Sequence, residues 1–390
     1  MEWKVRYIDY PQQYQKMRDE ILQTVDTVLT RGDVMLRQQL RDFEENLAAF
    51  VGTRYAVGTS NCTDALHLTL RAAGIGTGDE VITVSHTFVA TAAAIHHAGA
   101  VPVLIDIGDD HNLDVELIEP AITPRTRAIM PVHLNGRLCD MSKLMTIAEK
   151  HNLLVIEDTA QALGGAFDGI KGGAWALGGC FSFYPAKLLG AYGDAGALVT
   201  NSEEIAERVR SLRDHGRMPS GDLAGWSFNC RLDNLHAAIL DLKLKQVPAW
   251  IARRRALASI YQQNLSDVPE LLLPPAPADD ASHFDVFQNY EIEAEERDDL
   301  KSHLQEKGIE TLIPWGGKGV HQFPSLGLGQ IHLPRTERMF DRALMLPLHC
   351  ELTDEQVVYV SDMVKEFYRE RPEITDPVTL RLRTEEHLPA

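Results

Sequence analysis

The chain has 390 residues, 44% of them apolar, which is too long for one small core and ordinary for a globular protein of two lobes. Its 38 Lys and Arg face 56 Asp and Glu, a formal charge of -18, so a broad nucleic-acid or anionic-membrane surface would meet long-range repulsion; neither partner is expected. Charge does not exclude an anionic small molecule, because a pocket of amides and a few cations can oppose the field of the whole surface.

The five cysteines, Cys62, Cys139, Cys180, Cys230 and Cys350, are scattered, odd in number and lack any Cys-x-x-Cys pair. That argues against a disulfide framework or a zinc ribbon and fits a reducing cytoplasm; no metal is expected. The start, Met1-Glu2-Trp3-Lys4-Val5, has no basic stretch before an apolar core, and no run reaches the roughly 18 apolar residues of a membrane span. A soluble protein beginning near Met1 is expected.

In chain order, residues 36–50 carry Leu40, Phe43, Leu47 and Phe50 at helical spacing and predict an amphipathic helix. Short apolar runs then alternate with helical patterns: 80–84, 101–105, 128–132, 153–156, 180–183 and 197–199. Such runs predict a largely parallel sheet covered by helices on both faces. Residues 233–265, without an internal Gly, predict a long helix bent or broken near Pro248 and linking two domains. After the Pro-rich 273–277, a strand-helix pattern from Gln288 through a helix at 296–307 predicts a small second domain. A last helix opens at 352–355, with Thr353 as its cap, and reaches about Arg369. The expected division is a large, ligand-binding domain over 1–245 with N-terminal helices, a small C-terminal α+β domain over 246–370, and a polar tail over 371–390 that is either mobile or in contact with a neighbour.

Three segments are candidates for chemistry. Gly58-Thr59-Ser60-Asn61-Cys62-Thr63-Asp64-Ala65 is a polar turn entering a helix; its amides and Thr hydroxyl suit a phosphate, although an ordinary capped helix reads the same way. Residues 153–161 run a buried strand into Glu157-Asp158-Thr159-Ala160-Gln161. Side chains at the carboxyl ends of such strands face the ligand crevice, so Asp158 either holds a pyridinium nitrogen or caps the next turn. In Cys180-Phe181-Ser182-Phe183-Tyr184-Pro185-Ala186-Lys187-Leu188-Leu189-Gly190, the lysine lies in an apolar, Gly-containing passage. Desolvation there would favour the neutral amine that attacks an aldehyde; the alternative is a lysine on a surface loop.

Together these segments resemble the DegT/DnrJ/StrS-type nucleotide-sugar aminotransferases, which have the fold-type I pyridoxal-phosphate architecture. The likeness covers nearly the whole chain. It runs from Phe43-Glu44 through Asn61-Cys62-Thr63-Asp64-Ala65-Leu66, Gly78-Asp79-Glu80-Val81-Ile82 and Thr87-Phe88-Val89-Ala90-Thr91. It continues through Pro131-Val132-His133-Leu134-Asn135-Gly136, Glu157-Asp158-Thr159-Ala160-Gln161-Ala162, the lysine segment and Asn229-Cys230-Arg231-Leu232-Asp233. Eight ordered matches are far more specific than any one.

The resemblance implies pyridoxal 5'-phosphate as cofactor, with Lys187 as the Schiff-base lysine and the base that moves the proton between carbons. It implies Asp158 on the pyridine nitrogen, Gln161 on the ring hydroxyl, Phe88 against the ring face, and Cys62, Thr63 and Ser182 on the phosphate. Asn229 would reach the phosphate of a second chain, making a homodimer with shared sites. Arg231 would be available for the donor's carboxylate, and His133 and His321 are further pocket candidates. The implied reaction moves an amino group from L-glutamate to a keto sugar linked to dTDP, UDP or GDP, for amino-sugar biosynthesis. Residues 189–196 look more like members acting at C3 than at C4. Departures are Cys62 and Ala195 where Gly is common, and the passage 313–321, which lacks the usual His-Tyr-Pro form.

Rival readings are weaker. A sugar dehydratase of the same fold would carry histidine in place of Lys187, and a non-catalytic regulatory relative should lack a key Lys, Asp or phosphate-binding residue. A nicotinamide dehydrogenase would need a Gly-x-Gly-x-x-Gly after the first strand, and there is none.

Overall fold

The computed structural model describes residues 3–277 and 281–370. The expected parallel sheet is present. Its seven strands lie in the order Tyr55–Thr59, Gly196–Thr200, Gly178–Ser182, Leu154–Asp158, Thr126–Ile129, Glu80–Val84, Val101–Ile105. From Gly178–Ser182 to Val101–Ile105 every pairing is parallel, while Gly196–Thr200 runs antiparallel to both of its neighbours.

Both faces are covered. Successive strand residues point to opposite sides, so Phe181, Ala197 and Val199 pack on Leu40, Phe43 and Leu47 of helix Gln38–Val51 and on Leu240 and Leu244. Cys180, Leu198 and Val57 pack the other way, on Ala65, Leu66 and Leu68 of helix Cys62–Ala72. Because both faces are buried, these strands read as unbroken apolar runs and not as alternating ones.

The long helix expected over 233–265, bent or broken near Pro248, is broken there into two helices, Asn234–Leu244 and Val247–Leu265. Pro248 lies in the first turn of the second helix, where its missing N–H costs nothing, so the break falls just before the proline. A smaller antiparallel sheet pairs Tyr290–Ala294 with Leu271–Leu272 on one side and Ala343–Leu346 on the other. It packs with Leu257, Tyr261, Leu300 and Val360 into a second core. Val5 joins this core and bridges Ile309, so the start of the chain, expected with the large domain, packs into the core beside the smaller sheet. Thr353 caps helix Asp354–Arg369 with a reciprocal bond to Gln356. The expected tail, 371–390, lies outside the described residues. Among those residues no helix is long and apolar enough to cross a membrane.

Candidate active site

A cavity of about 540 Å³ lies between the carboxyl ends of the parallel strands and the smaller sheet. Cys62, Thr63, Phe88, Asp158, Gln161, Ser182 and Lys187, read from four separate stretches of sequence, all line it. Strand ends in open α/β sheets form such a crevice because the loops on either side diverge there.

The floor at one end is the start of helix Cys62–Ala72. Asn61 caps it by accepting from the Asp64 amide at 2.8 Å, which leaves the Cys62 and Thr63 amides without acceptors among the described residues. Free amides at a helix N-terminus, together with the Thr63 and Ser182 hydroxyls, suit an anion. The neighbouring strand must come very close here. A Cβ on Gly196 would sit 2.3 Å from the Asn61 carbonyl carbon and 2.5 Å from the Cys62 nitrogen, so only glycine fits.

Asp158 ends strand Leu154–Asp158 and is 4% exposed. Its carboxylate accepts from the Thr91 hydroxyl at 2.7 Å and from the Ala160 amide at 3.1 Å. Burial raises its pKa, and these two bonds and the charge of Lys187 work against that rise. Asp158 therefore caps the turn at Ala160 and also faces the cavity. Gln161 accepts from the Asn135 amide at 2.7 Å and from Asn289 at 3.3 Å through Oε1, which leaves its amide nitrogen for a ligand.

Lys187 sits in a turn closed by its own N–H donating to the Tyr184 carbonyl at 2.8 Å. Its amine makes no hydrogen bond among the described residues, and burial lowers its pKa despite the neighbouring Cys62 and Asp158. The turn is tight enough that a Cβ on Gly190 would sit 2.3 Å from the Pro185 carbonyl oxygen. Beneath it the buried Lys243 donates to the Gly190 carbonyl, and burial lowers this second lysine to about 8.

A desolvated, unbonded amine, a buried carboxylate and an anion cradle facing one cavity fit pyridoxal phosphate group for group. Residues 15–365 match the model of the DegT/DnrJ/EryC1/StrS aminotransferase family. The chain belongs to that family. It is 40% identical over 369 residues to a pleiotropic regulatory protein of Geobacillus stearothermophilus, an alignment covering 94% of this chain and 99% of the other. It is also 40% identical over 370 residues to a dTDP-3-amino-3,4,6-trideoxy-alpha-D-glucose transaminase of Streptomyces venezuelae, covering 93% and 96%. A solved structure of S. venezuelae DesV, in complex with a ketimine intermediate, superposes with a TM-score of 0.90 at 39% identity, over 95% of this chain and all of that one.

The other candidate residues of this aminotransferase-family chain lie off the cavity wall. His133 is fully buried; Nε2 faces Glu157 at 3.0 Å and Nδ1 accepts from the Cys139 amide at 3.2 Å. His321 bonds Ser85 at 2.6 Å and Glu337 at 3.1 Å, tying its loop to the end of strand Glu80–Val84. Arg231 donates to Asp214 at 2.9 Å. Asn229 is exposed on a hairpin and does not reach the cavity of its own chain.

The sequence reading missed Thr91, although its position three residues after Phe88 and facing Asp158 carries a usable signal. It also missed the wall opposite the sheet, made by Tyr7, Arg254, Gln288, Asn289, Trp315 and Met345. No local pattern marks these residues, since they come from distant parts of the chain.

Proposed function

We propose that this aminotransferase binds pyridoxal 5'-phosphate at Lys187 and moves an amino group from L-glutamate to a keto sugar linked to a nucleoside diphosphate. The observation that carries the reading is the buried, unbonded Lys187 amine sharing one cavity with Asp158 and with the free amides of Cys62 and Thr63. When bound, the cofactor supplies an aldehyde that carries nitrogen and a ring that holds the electron pair left at carbon. Cys62, Thr63 and Ser182 would hold the phosphate, Phe88 would lie against the ring, and Gln161 would donate its free N–H to the ring hydroxyl. Asp158, oriented by Thr91 and Ala160, would keep a proton on the ring nitrogen. Lys187, whose pKa burial lowers, would take the proton from one carbon and return it to another.

Amination at C3 is favoured over C4, supported by the residues after Lys187 and by the name of the S. venezuelae relative. The name of the G. stearothermophilus relative raises a purely regulatory role, but in this chain no cofactor-facing group is missing. A homodimer is supported by the hairpin carrying Asn229, which leaves Leu223 66% exposed and Trp226 wholly so. Apolar groups left this bare on a monomer mark a contact surface. A second copy would cover them and receive Asn229 at its phosphate. Arg231, two residues on, would be the candidate for a donor carboxylate. A cytoplasmic setting fits the five free cysteines.

The test is an absorption spectrum of the purified protein with pyridoxal phosphate, before and after L-glutamate. A band from the lysine linkage that converts to the band of the cofactor's amine form supports the proposal. A band that ignores glutamate removes that donor, and no band overturns the reading.

A further inference from the structure

We propose that Gln288 is a positioning residue that holds the Lys187 peptide in place from the opposite wall of the cavity, an inference that rests on Lys187 being the cofactor-binding amine. Its side-chain amide makes two bonds: Oε1 accepts from the Leu188 N–H at 2.8 Å, and Nε2 donates to the Ala186 carbonyl at 3.0 Å. These are the residues on either side of Lys187. The lysine lies in a turn, outside the sheet ladder, so these two groups have no backbone partner. A primary amide is the neutral side chain that offers an acceptor and a donor on one carbon, and so can bracket a residue in this way without adding charge next to the amine.

The clamp is itself anchored. Gln288 is 6% exposed, and its own N–H donates to the Asn135 carbonyl at 2.9 Å. Arg254 donates through Nη1 to the carbonyls of Phe287, Gln288 and Leu348 at 3.1, 2.9 and 2.9 Å. Phe287 adopts a φ of 50°, and the backbone there presses on Gly136, where a Cβ would sit 2.8 Å from the Phe287 nitrogen. The next residue, Asn289, donates to Asn135 at 2.8 Å and to Gln161 at 3.3 Å. Two consecutive residues beside the smaller sheet therefore tether both the lysine turn and Gln161 on the larger one.

This arrangement answers a need of the proposed reaction. The Lys187 side chain must leave the cofactor, carry a proton and return, so the backbone that bears it has to stay fixed while the amine moves. Holding a reacting group within reach lowers the entropy lost at the proton transfer, and a lapse in that hold is felt in turnover more than in binding.

The experiment compares the cofactor-loaded wild type with Gln288→Ala and Gln288→Glu, each checked for folding by its Tm. Gln288→Ala is expected to lower kcat by roughly tenfold while the KM for the amino donor changes by less than about threefold. Gln288→Glu keeps the acceptor for Leu188 but sets a carboxylate beside Ala186 and near the amine. It is expected to move the pH midpoint of the lysine–cofactor absorption band upward, a signature that a scaffold residue would not give. Unchanged kcat and midpoint in folded variants overturn the proposal. Hydrogen exchange on the wild type, without cofactor, decides the case if neither variant folds: a protected Leu188 amide supports the clamp, and exchange at the rate of an open loop overturns it. Absence of the band in the wild type defeats the assignment of Lys187 instead, and leaves the exchange result standing.

Discussion

Replacing Gly196 with alanine should separate the anion cradle from the sheet that supports it. The new Cβ would lie 2.3–2.5 Å from the Asn61 carbonyl and the Cys62 nitrogen, atoms of a helix start and not the tips of flexible side chains. Ordinary carbon contacts begin near 3.5 Å, so the helix must retreat by roughly 1 Å or the strand must bend. Gly196 has no positive φ, so alanine's backbone preferences are not at issue and the whole effect comes from contact. Overpacking of this kind costs about 1–3 kcal/mol. If the strain is relieved by moving the cradle, the same energy weakens cofactor binding by roughly 5- to 150-fold. If the cradle stays, the energy appears as lost stability. The assay is therefore a pair, Tm of the cofactor-free protein and a titration with pyridoxal phosphate, and the combined loss should fall in that range. A Gly196→Ala protein with normal Tm and normal affinity would refute the argument that this contact sets the cradle.

Four further outcomes are expected. Asp158→Ala should bind cofactor yet turn over roughly 100-fold more slowly, because no carboxylate then keeps the ring nitrogen protonated; near-normal kcat removes Asp158 from the chemistry. Glu44→Ala strands the buried Arg213, which now donates to Glu44 at 2.5 Å and to the Gly58 carbonyl at 2.6 Å, and should cost about 3–5 kcal/mol in denaturant unfolding; a loss below about 1 kcal/mol contradicts this. Trp226→Ser should shift the proposed dimer toward monomer in sedimentation, and a dimer equal to the wild type's would take the hairpin out of the interface. The last concerns pH. Burial lowers His111, but Glu291 and Glu293 overcome this and raise it to about 10, so its share of stability is complete below the ordinary 6.5 and is lost as pH rises toward 10. Burial raises Glu291, but His86 and His111 bring it down to about 2, so its share is complete above 4.5 and is lost as pH falls toward 2. Wild-type Tm should fall between pH 6.5 and 10 more steeply than that of Glu291→Gln, and equal slopes would refute the coupling.

Much of the larger sheet could be read because burial on both faces turns a strand into an apolar run, and six such runs lie on or within a few residues of observed strands. Tyr55–Thr59 escaped because Ala, Gly and Thr leave little apolar signal, even though the strand is buried against Gly196–Thr200. The helix Tyr10–Arg31 was expected only as one of the N-terminal helices, without bounds. Its buried face carries Met17, Ile21 and Val28, while Leu22 and Leu29 stay exposed, which blurs the apolar spacing. The histidines were misleading in another way. His133 and His321 have the chemistry of ligand residues, but each is satisfied by a carboxylate and a backbone or hydroxyl partner, which the sequence does not reveal.

The site itself divides along the same physical line. The groups proposed to serve the cofactor sit at the ends of strands or at the start of a helix, where local geometry and residue type are coupled over four to eight residues, and so they form recognisable motifs. Tyr7, Gln288, Asn289, Trp315 and Met345 hold the opposite wall through contacts between residues more than 50 positions apart, such as Tyr7 Oη to Asn289 at 3.2 Å and Gln288 to Leu188. Any one of them can change without altering a local pattern. A wall built this way can vary without disturbing the proposed cofactor side, and it is the side left to tell the sugar and its nucleotide apart. Specificity in this chain should therefore follow substitutions at Tyr7, Trp315 and Met345, whereas substitutions at Gln288 act through Lys187 on every substrate alike.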